Sequence, residues 1–296
     1  MRIILLGLLG LLAACQSQPV ELPLLPAWQA PEAREHADLG RIVDLRSGRQ
    51  VTPQQLLEQL AAAPRVLVGE QHDNPDHHAL QLWLLRALTA QRPQGSLLLE
   101  MLNPDQQSAV DAVRTDYLSG QPPADLYQAL NWQPNWDWGV YGAIVSYAVQ
   151  QPWPLQSANL DRSEIMKIYA KPPALSGTHS TTTEVQEVLL AQIRQSHCGL
   201  LPESQLPSML AIQQQRDRRM AERLSEAPQP ALLFAGAFHV RRDLGVPLHL
   251  QDLDASDGAL VLTLAEAGSQ VTAAQADFVW FTAAQPEEDH CAALRK

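Results

Sequence analysis

The sequence predicts an α/β fold, a mainly parallel sheet flanked by helices with a helical insertion. Three observations predict it. Short apolar runs at 65–68, 97–99, 153–158, 231–235, 260–264 and 277–281 alternate with longer stretches whose apolar residues recur at helical spacing. The runs are apolar almost throughout, as strands covered on both faces are. The first two are each followed by an Asn-Pro pair, 74–75 and 103–104, that can open a helix.

Taken in order, residues 37–50 predict a short hairpin, with strands at 40–45 and 50–51 joined by a turn at Ser47-Gly48. Thr52 caps a helix over 53–62, with Pro53 at the first position, where a missing N–H costs nothing. The first core strand, 65–68, ends at Gly69 and opens into a loop crowded with Glu70, His72 and Asp73. Asn74 and Pro75 start a helix over about 76–90, with Leu80, Trp83, Leu84, Ala87 and Leu88 on its apolar face. His77 and His78, early in that helix, are expected to be exposed. Strand 97–99 ends at Glu100 and leads into a helix over 104–118. Residues 120–134, rich in Pro, Gln and Trp, begin the insertion (about 120–150). Its helix over 137–150 follows Trp136 and carries Trp138, Val140, Tyr141, Ile144, Val145 and Tyr147, a stripe that is ordinarily core. After strand 153–158, Asp161 and Glu164 form a capping box for a helix to about Tyr169. A Pro/Ser/Thr-rich loop over 171–182 and helices over 184–196 and 207–224 precede strand 231–235, which stops at Gly236-Ala237-Phe238-His239. Strands 260–264 and 277–281 complete the sheet.

The amino terminus is expected to lie outside the fold. Arg2, an apolar run over 3–12 and Leu12-Ala13-Ala14-Cys15 form a secretory signal. It resembles the bacterial lipobox, which implies removal of residues 1–14 and diacylation of Cys15 by palmitate-type chains. Gln16 after that cysteine implies sorting to the outer membrane. Residues 15–34, with four prolines between 19 and 31, are expected to be the lipidated cysteine and an extended tether. Residues 35–296 then form a single domain. A net charge of −11 lacks the basic face that nucleic acid requires. Of three cysteines, Cys198 and Cys291 remain if Cys15 is lipidated, an even pair in an oxidising compartment, and a disulfide between them is expected.

Parallel strands place Glu70 and His72, Glu100, and His239 at carboxyl ends, where open α/β sheets bind ligands. Arg241 and Arg242 follow closely in sequence. Such a rim could bind a metal through Glu and two His, act as general base and acid, or hold an anion. No Gly-x-Ser-x-Gly, His-Glu-x-x-His or phosphate loop narrows the choice.

Four segments carry a resemblance: Val-Gly-Glu-Gln-His-Asp at 68–73, Ala-Asn-Leu-Asp-Arg at 158–162, Ser-His-Cys-Gly at 196–199, and Ala-Gly-Ala-Phe-His-Val-Arg-Arg-Asp-Leu-Gly-Val-Pro at 235–247. Over roughly 35–285 the chain resembles the ChaN-like family, iron-regulated haem-binding bacterial lipoproteins. Gly-Glu-x-His alone is shared with erythromycin-esterase-like hydrolases. Where the family has Gly-Asn-Gly-His, this chain has Ala237 and Phe238 before His239. The resemblance implies ferric haem bound in a homodimer, a tyrosinate iron ligand and a histidine on the propionates. The family tyrosine lies at a Trp-rich helix start, which matches Tyr141, with Tyr147 next in line. Trp136 and Trp138 would pack on the porphyrin, and Glu70, His72, His239 and Arg241 would complete the pocket. The expected protein is a periplasm-facing, outer-membrane-tethered holder or donor of haem, served by a haem-uptake receptor. The alternative is a hydrolase using Glu70, His72 and His239.

Overall fold

The computed structural model describes residues 22–174, 176–287, 289 and 291–292. The expected signal peptide, Cys15 and residues 15–21 of the expected tether lie outside the described residues.

An apolar strand flanked by helices on both faces buries every residue, and the central strands do so. β3 (Arg65–Glu70), β4 (Ser96–Leu99) and β6 (Ala231–Gly236) are buried from end to end. With β5 (Leu155–Ser157), β7 (Ala259–Glu266) and β8 (Phe278–Thr282) they form the parallel part of an eight-stranded sheet. The hairpin of β1 (Ile42–Asp44) and β2 (Arg49–Val51) adds an antiparallel edge, giving the order β2-β1-β8-β7-β3-β6-β4-β5. β6 is thus inserted between β3 and β4. Three strands far apart in sequence end side by side.

Alternate residues feed two cores, as the period of two requires. Val66, Val68, Leu97, Leu99, Leu232 and Phe234 face a layer of α1 (Pro53–Ala62), α2 (Pro75–Gln91), α3 (Gln107–Leu118) and α5 (Trp138–Val149). Leu67, Leu98, Leu233 and Ala235 face α8 (Leu206–Glu226) and α10 (Val246–Asp252). Between these lie three further helices: α4 (Leu126–Ala129), α6 (Arg162–Ala170) and α7 (Thr183–Ser196). A short turn of helix, α9 (Ala237–Val240), follows β6 directly. The Trp/Tyr-rich helix α5 joins the main core through Tyr141, Ile144, Val145, Ala148 and Val149.

The helix starts follow the sequence signals. Thr52 and Asp161 make capping boxes, and Asn74 accepts from the Asp76 N–H with Pro75 in the first turn. Gly69 does not end β3; Glu70 still pairs with Gly236. Residues 22–34 also depart from expectation, for they do not form a free linker. Leu22 and Trp28 pack on the core, Trp83 Nε1 donates to the Pro23 carbonyl, and the Gln29 and Ala30 N–H groups donate to Asp76. The expected disulfide is present, Cys198–Cys291, tying the tail to the end of α7.

Gly69 positions the functional end of the sheet. A Cβ there would lie 2.4 Å from Val240 Cγ2 and 3.0 Å from the Ala237 Cα. The α9 turn seats against β3 only because position 69 has no side chain. Gly69→Ala is therefore expected to cost about 1–3 kcal/mol through overpacking, read as a lower urea midpoint.

Candidate functional site

The crossover order delivers two buried carboxylates to strand ends on either side of β6. Glu70 ends β3 and is 1% exposed; Glu100 follows β4 and is 2% exposed. Such groups need partners, since an unpaired buried charge costs several kcal/mol. Each has a histidine.

Glu70 Oε1 accepts from His72 Nδ1 at 2.6 Å and from the Tyr141 hydroxyl at 3.0 Å. His78 Nε2 lies 3.8 Å from the other oxygen and donates at 3.0 Å to the His72 carbonyl. Burial pulls the His72 pKa down, but the Glu70 hydrogen bond and charge outweigh it, and the net shift is upward. Burial pushes the Tyr141 phenol far above its ordinary range, and the Glu70 carboxylate beside it pushes the same way. Tyr141 is therefore a neutral donor here.

Glu100 Oε1 lies 3.2 Å from His239 Nε2, and its Oε2 accepts the Gly236 N–H at 2.8 Å. His239 Nδ1 meets Asp217 of α8 at 2.5 Å, with Gln213 also in reach at 3.1 Å. Burial alone would lower the His239 pKa, but Glu100 and Asp217 raise it to about 10. Burial would raise Glu100, but the His239 charge brings it to about 2. His239 is an imidazolium bridging two carboxylates.

The two clusters share a cavity of about 650 Å³. Glu70, His72, Gly236 and His239 form its floor; α7 contributes Gln192, Gln195 and Ser196, and α8 contributes Gln213. Phe238, 47% exposed, stands between it and a smaller cavity bordered by Arg241. Trp136 meets the His72 ring edge-on at 5.0 Å.

The expected rim residues Glu70, His72, Glu100 and His239 thus come together, with Tyr141 behind and Trp136 beside them. Others do not. Neither expected tryptophan lines the cavity: Trp136 only backs the His72 ring, and Trp138 packs on Trp132 and Tyr127, at 5.1 and 5.8 Å. Tyr147 lies under the Arg86 guanidinium at 5.3 Å. Arg241 is held by Asp243 and Arg242 by Asp277. His77 and His78 are buried rather than exposed; burial, with His78 beside it, lowers His77 to about 3. His77 Nδ1 accepts the Gln71 N–H and its Nε2 meets Thr282, so it braces the rim loop. Among the described residues no group of three His, Cys, Asp or Glu is arranged to hold a metal ion, contrary to the metal rim that the sequence left open. Asp217 and the α7 wall went unrecognised in the sequence. The signal for Asp217 was a lone acid on the apolar stripe formed by Leu210, Met220, Ala221 and Leu224.

The family described as "Haem-binding uptake, Tiki superfamily, ChaN" matches residues 56–250. The chain belongs to the ChaN family. The structure of ChaN of Campylobacter jejuni, described as showing cofacial haem binding, is similar with a TM-score of 0.73 and 31% identity, covering 81% of this chain and 95% of that one. A mutant erythromycin esterase in its open conformation covers 87% of this chain and 86% of its own, at 15% identity and a TM-score of 0.46. At that score the likeness carries no functional argument. No curated protein matches the sequence significantly. The chain carries a buried Glu100–His239–Asp217 bridge at this end of the sheet.

That bridge sets a pH window. A raised histidine pKa contributes fully below 6.5 and is lost as pH rises through about 10; a lowered carboxylate pKa contributes fully above 4.5 and is lost as pH falls through about 2. Its contribution is complete between 4.5 and 6.5 and declines on both sides. His239→Gln should destabilise the protein at pH 6 by about 3–5 kcal/mol, leaving two acids without their cation. In urea titrations the decline from pH 6.5 towards 10 should be flatter in the variant than in the wild type.

Proposed function

We propose that the strand-end cavity holds ferric haem, and that the protein binds it to hold or hand over in haem and iron uptake. The observation that carries this reading is membership of a haem-binding family over 56–250. The similarity to a ChaN described as binding haem cofacially supports it.

The residues present fit a porphyrin. The cavity falls in the range of cofactor pockets, roughly 300–1,000 Å³. Phe238 offers aromatic surface, and the His239 imidazolium lies in the floor. Arg241, 5.8 Å above the Phe238 ring, borders the adjoining cavity and could meet a propionate reaching across that ring. The fit of the expected tyrosine ligands is different. Tyr141 is 1% exposed with its hydroxyl donated to Glu70, and it would have to leave that partner to reach an iron atom. The exposed Phe238 at an open mouth suits closure by a second copy, a haem-bridged homodimer. Diacylation of Cys15 would anchor the protein in the outer membrane, facing the periplasm, for exchange with an uptake receptor.

A hydrolase is the second reading. Its supporting observation is the 2.6 Å Glu70–His72 pair facing a cavity, the arrangement of an oriented general base.

The test of haem binding is a haemin titration of the detergent-solubilised full chain, followed by absorbance and sedimentation. A saturable Soret shift accompanied by dimerisation is expected. No saturable shift would sink the haem reading and send attention to ester turnover and its loss in Glu70→Gln. For the anchor, Cys15→Ser should move the protein from the membrane to the soluble fraction of cells; an unchanged membrane fraction would remove lipidation from the proposal.

A further inference from the structure

We infer that Leu24 and Leu25 insert into the lipid bilayer that holds the acyl chains of Cys15, and so set how the body of the protein lies on the membrane. The inference rests on the anchor reading above and deepens it.

The segment 22–28, Leu-Pro-Leu-Leu-Pro-Ala-Trp, carries no charge, and the Trp28 indole is its one polar side-chain group. Much of it finds cover on the protein: Leu22 and Trp28 pack against the core. Leu24 and Leu25 do not, and they stand 95% and 49% exposed. A scattered surface leucine is ordinary. These two are adjacent, and their surroundings hold them out. Pro23 before them and Pro26 after them have fixed φ angles. The Pro23 carbonyl accepts from Trp83 Nε1 at 2.8 Å, and the Gln29 and Ala30 N–H groups donate to Asp76 at 2.6 and 3.2 Å. Both ends of the segment are thus tied to α2, with the leucine pair between the ties.

The chain before the segment identifies what covers the pair. Leu22 follows Cys15 by seven residues. Fully extended, that length reaches at most about 25 Å. The hydrocarbon core of a bilayer is about 30 Å thick. Acyl chains on Cys15 therefore keep the leucine pair beside the lipid surface, whatever path the tether takes. A net charge of −11 gives the body no attraction to anionic lipid, so the contact is an apolar one. Two acyl chains supply retention on the membrane; the leucines supply orientation. The segment packs on the α2 side of the sheet, whereas α8 covers the opposite face and α7 packs on α8. Docked through Leu24 and Leu25, the protein turns the α7 and α8 wall of the cavity towards the aqueous side.

The experiment uses the full lipidated chain in vesicles of phosphatidylethanolamine and phosphatidylglycerol, with one environment-sensitive fluorophore on Leu24→Cys. Cys198 and Cys291 are joined and lipidation blocks Cys15, so the added thiol takes the label. Glu187→Cys, at an exposed position of α7, is the reference. On reconstitution, a blue shift and a loss of emission to brominated lipid are expected at position 24 and not at 187. Adding Leu25→Asp to the labelled Leu24→Cys chain should abolish both signals. Raising the salt concentration should change neither, because an apolar contact is not screened as a charged one is. Circular dichroism melts check that each variant folds, and the comparison of 24 with 187 stands without the Asp variant. Mass spectrometry of Cys15 separates the two readings. A diacylated chain whose label at 24 is quenched no more than that at 187 would overturn the inference and leave the anchor intact. So would a blue shift without quenching by brominated lipid, which would put another protein surface on the leucines. A chain with unmodified Cys15 would overturn the anchor and the inference together.

Discussion

Two carboxylates brought out of water at strand ends on either side of β6 constrain everything around them. Glu70 and Glu100 are both nearly inaccessible. Without partners each would cost several kcal/mol. The sheet order makes the problem unavoidable, because β6 lies between the strands that carry them. The same order supplies part of the solution: the Gly236 N–H at the end of β6 points at Glu100. The remaining partners come from distant helices, Tyr141 from α5 and Asp217, through His239, from α8. The polar rim therefore also fastens the two helical layers to the sheet.

The two histidines on these carboxylates differ in what they leave free. His239 is buried and occupied on both ring nitrogens, so its charge is fixed in place. It sets an electrostatic floor for the cavity and has no lone pair to offer. His72 is tied on one nitrogen only and lines the cavity, partly exposed. The pairing is the same, carboxylate to imidazole, but burial and a second acid make one structural and leave the other available for chemistry.

Much of this was readable before any coordinates. Asn74-Pro75, Thr52-Pro53 and Asp161 with Glu164 mark helix starts by local hydrogen bonding, which sequence records directly. Apolar runs give the strands for the same reason. Glu70, His72, Glu100 and His239 were recognisable because each stands where a run stops. What was hidden depends on contacts between distant segments. His77 and His78 look like solvated first-turn residues, yet the rim loop folds back over both, the end of β8 meets His77 and Tyr141 covers His78. Arg241 looks like a free cation beside His239 until Asp243 two residues on captures it. Trp138 and Trp136 are equivalent in sequence, but only Trp136 faces His72, because Trp138 turns over Gly142 towards Trp132. The proline-rich start looked like a linker because prolines lack donors; its attachment uses the Gln29 and Ala30 N–H groups, on Asp76, which composition does not reveal.

The apolar pair Ala237-Phe238, where the resemblance leads one to expect Asn-Gly, fits this division of roles. Ala237 must be small, because α9 packs within 3.0–3.5 Å of where a Gly69 side chain would lie. A polar side chain at 237 would find the neighbouring donors and acceptors already engaged: Glu100 holds the Gly236 N–H, and His239 is held by two acids. The Glu100–His239–Asp217 part of the network closes without a residue from this pair. Position 238 is then free to face outward, and Phe238 places an aromatic ring on the ridge between the two cavities. An apolar pair beside His239 therefore leaves the Glu100, His239 and Asp217 charges compensated and makes the cavity mouth apolar, which favours a flat hydrophobic ligand over a small polar one.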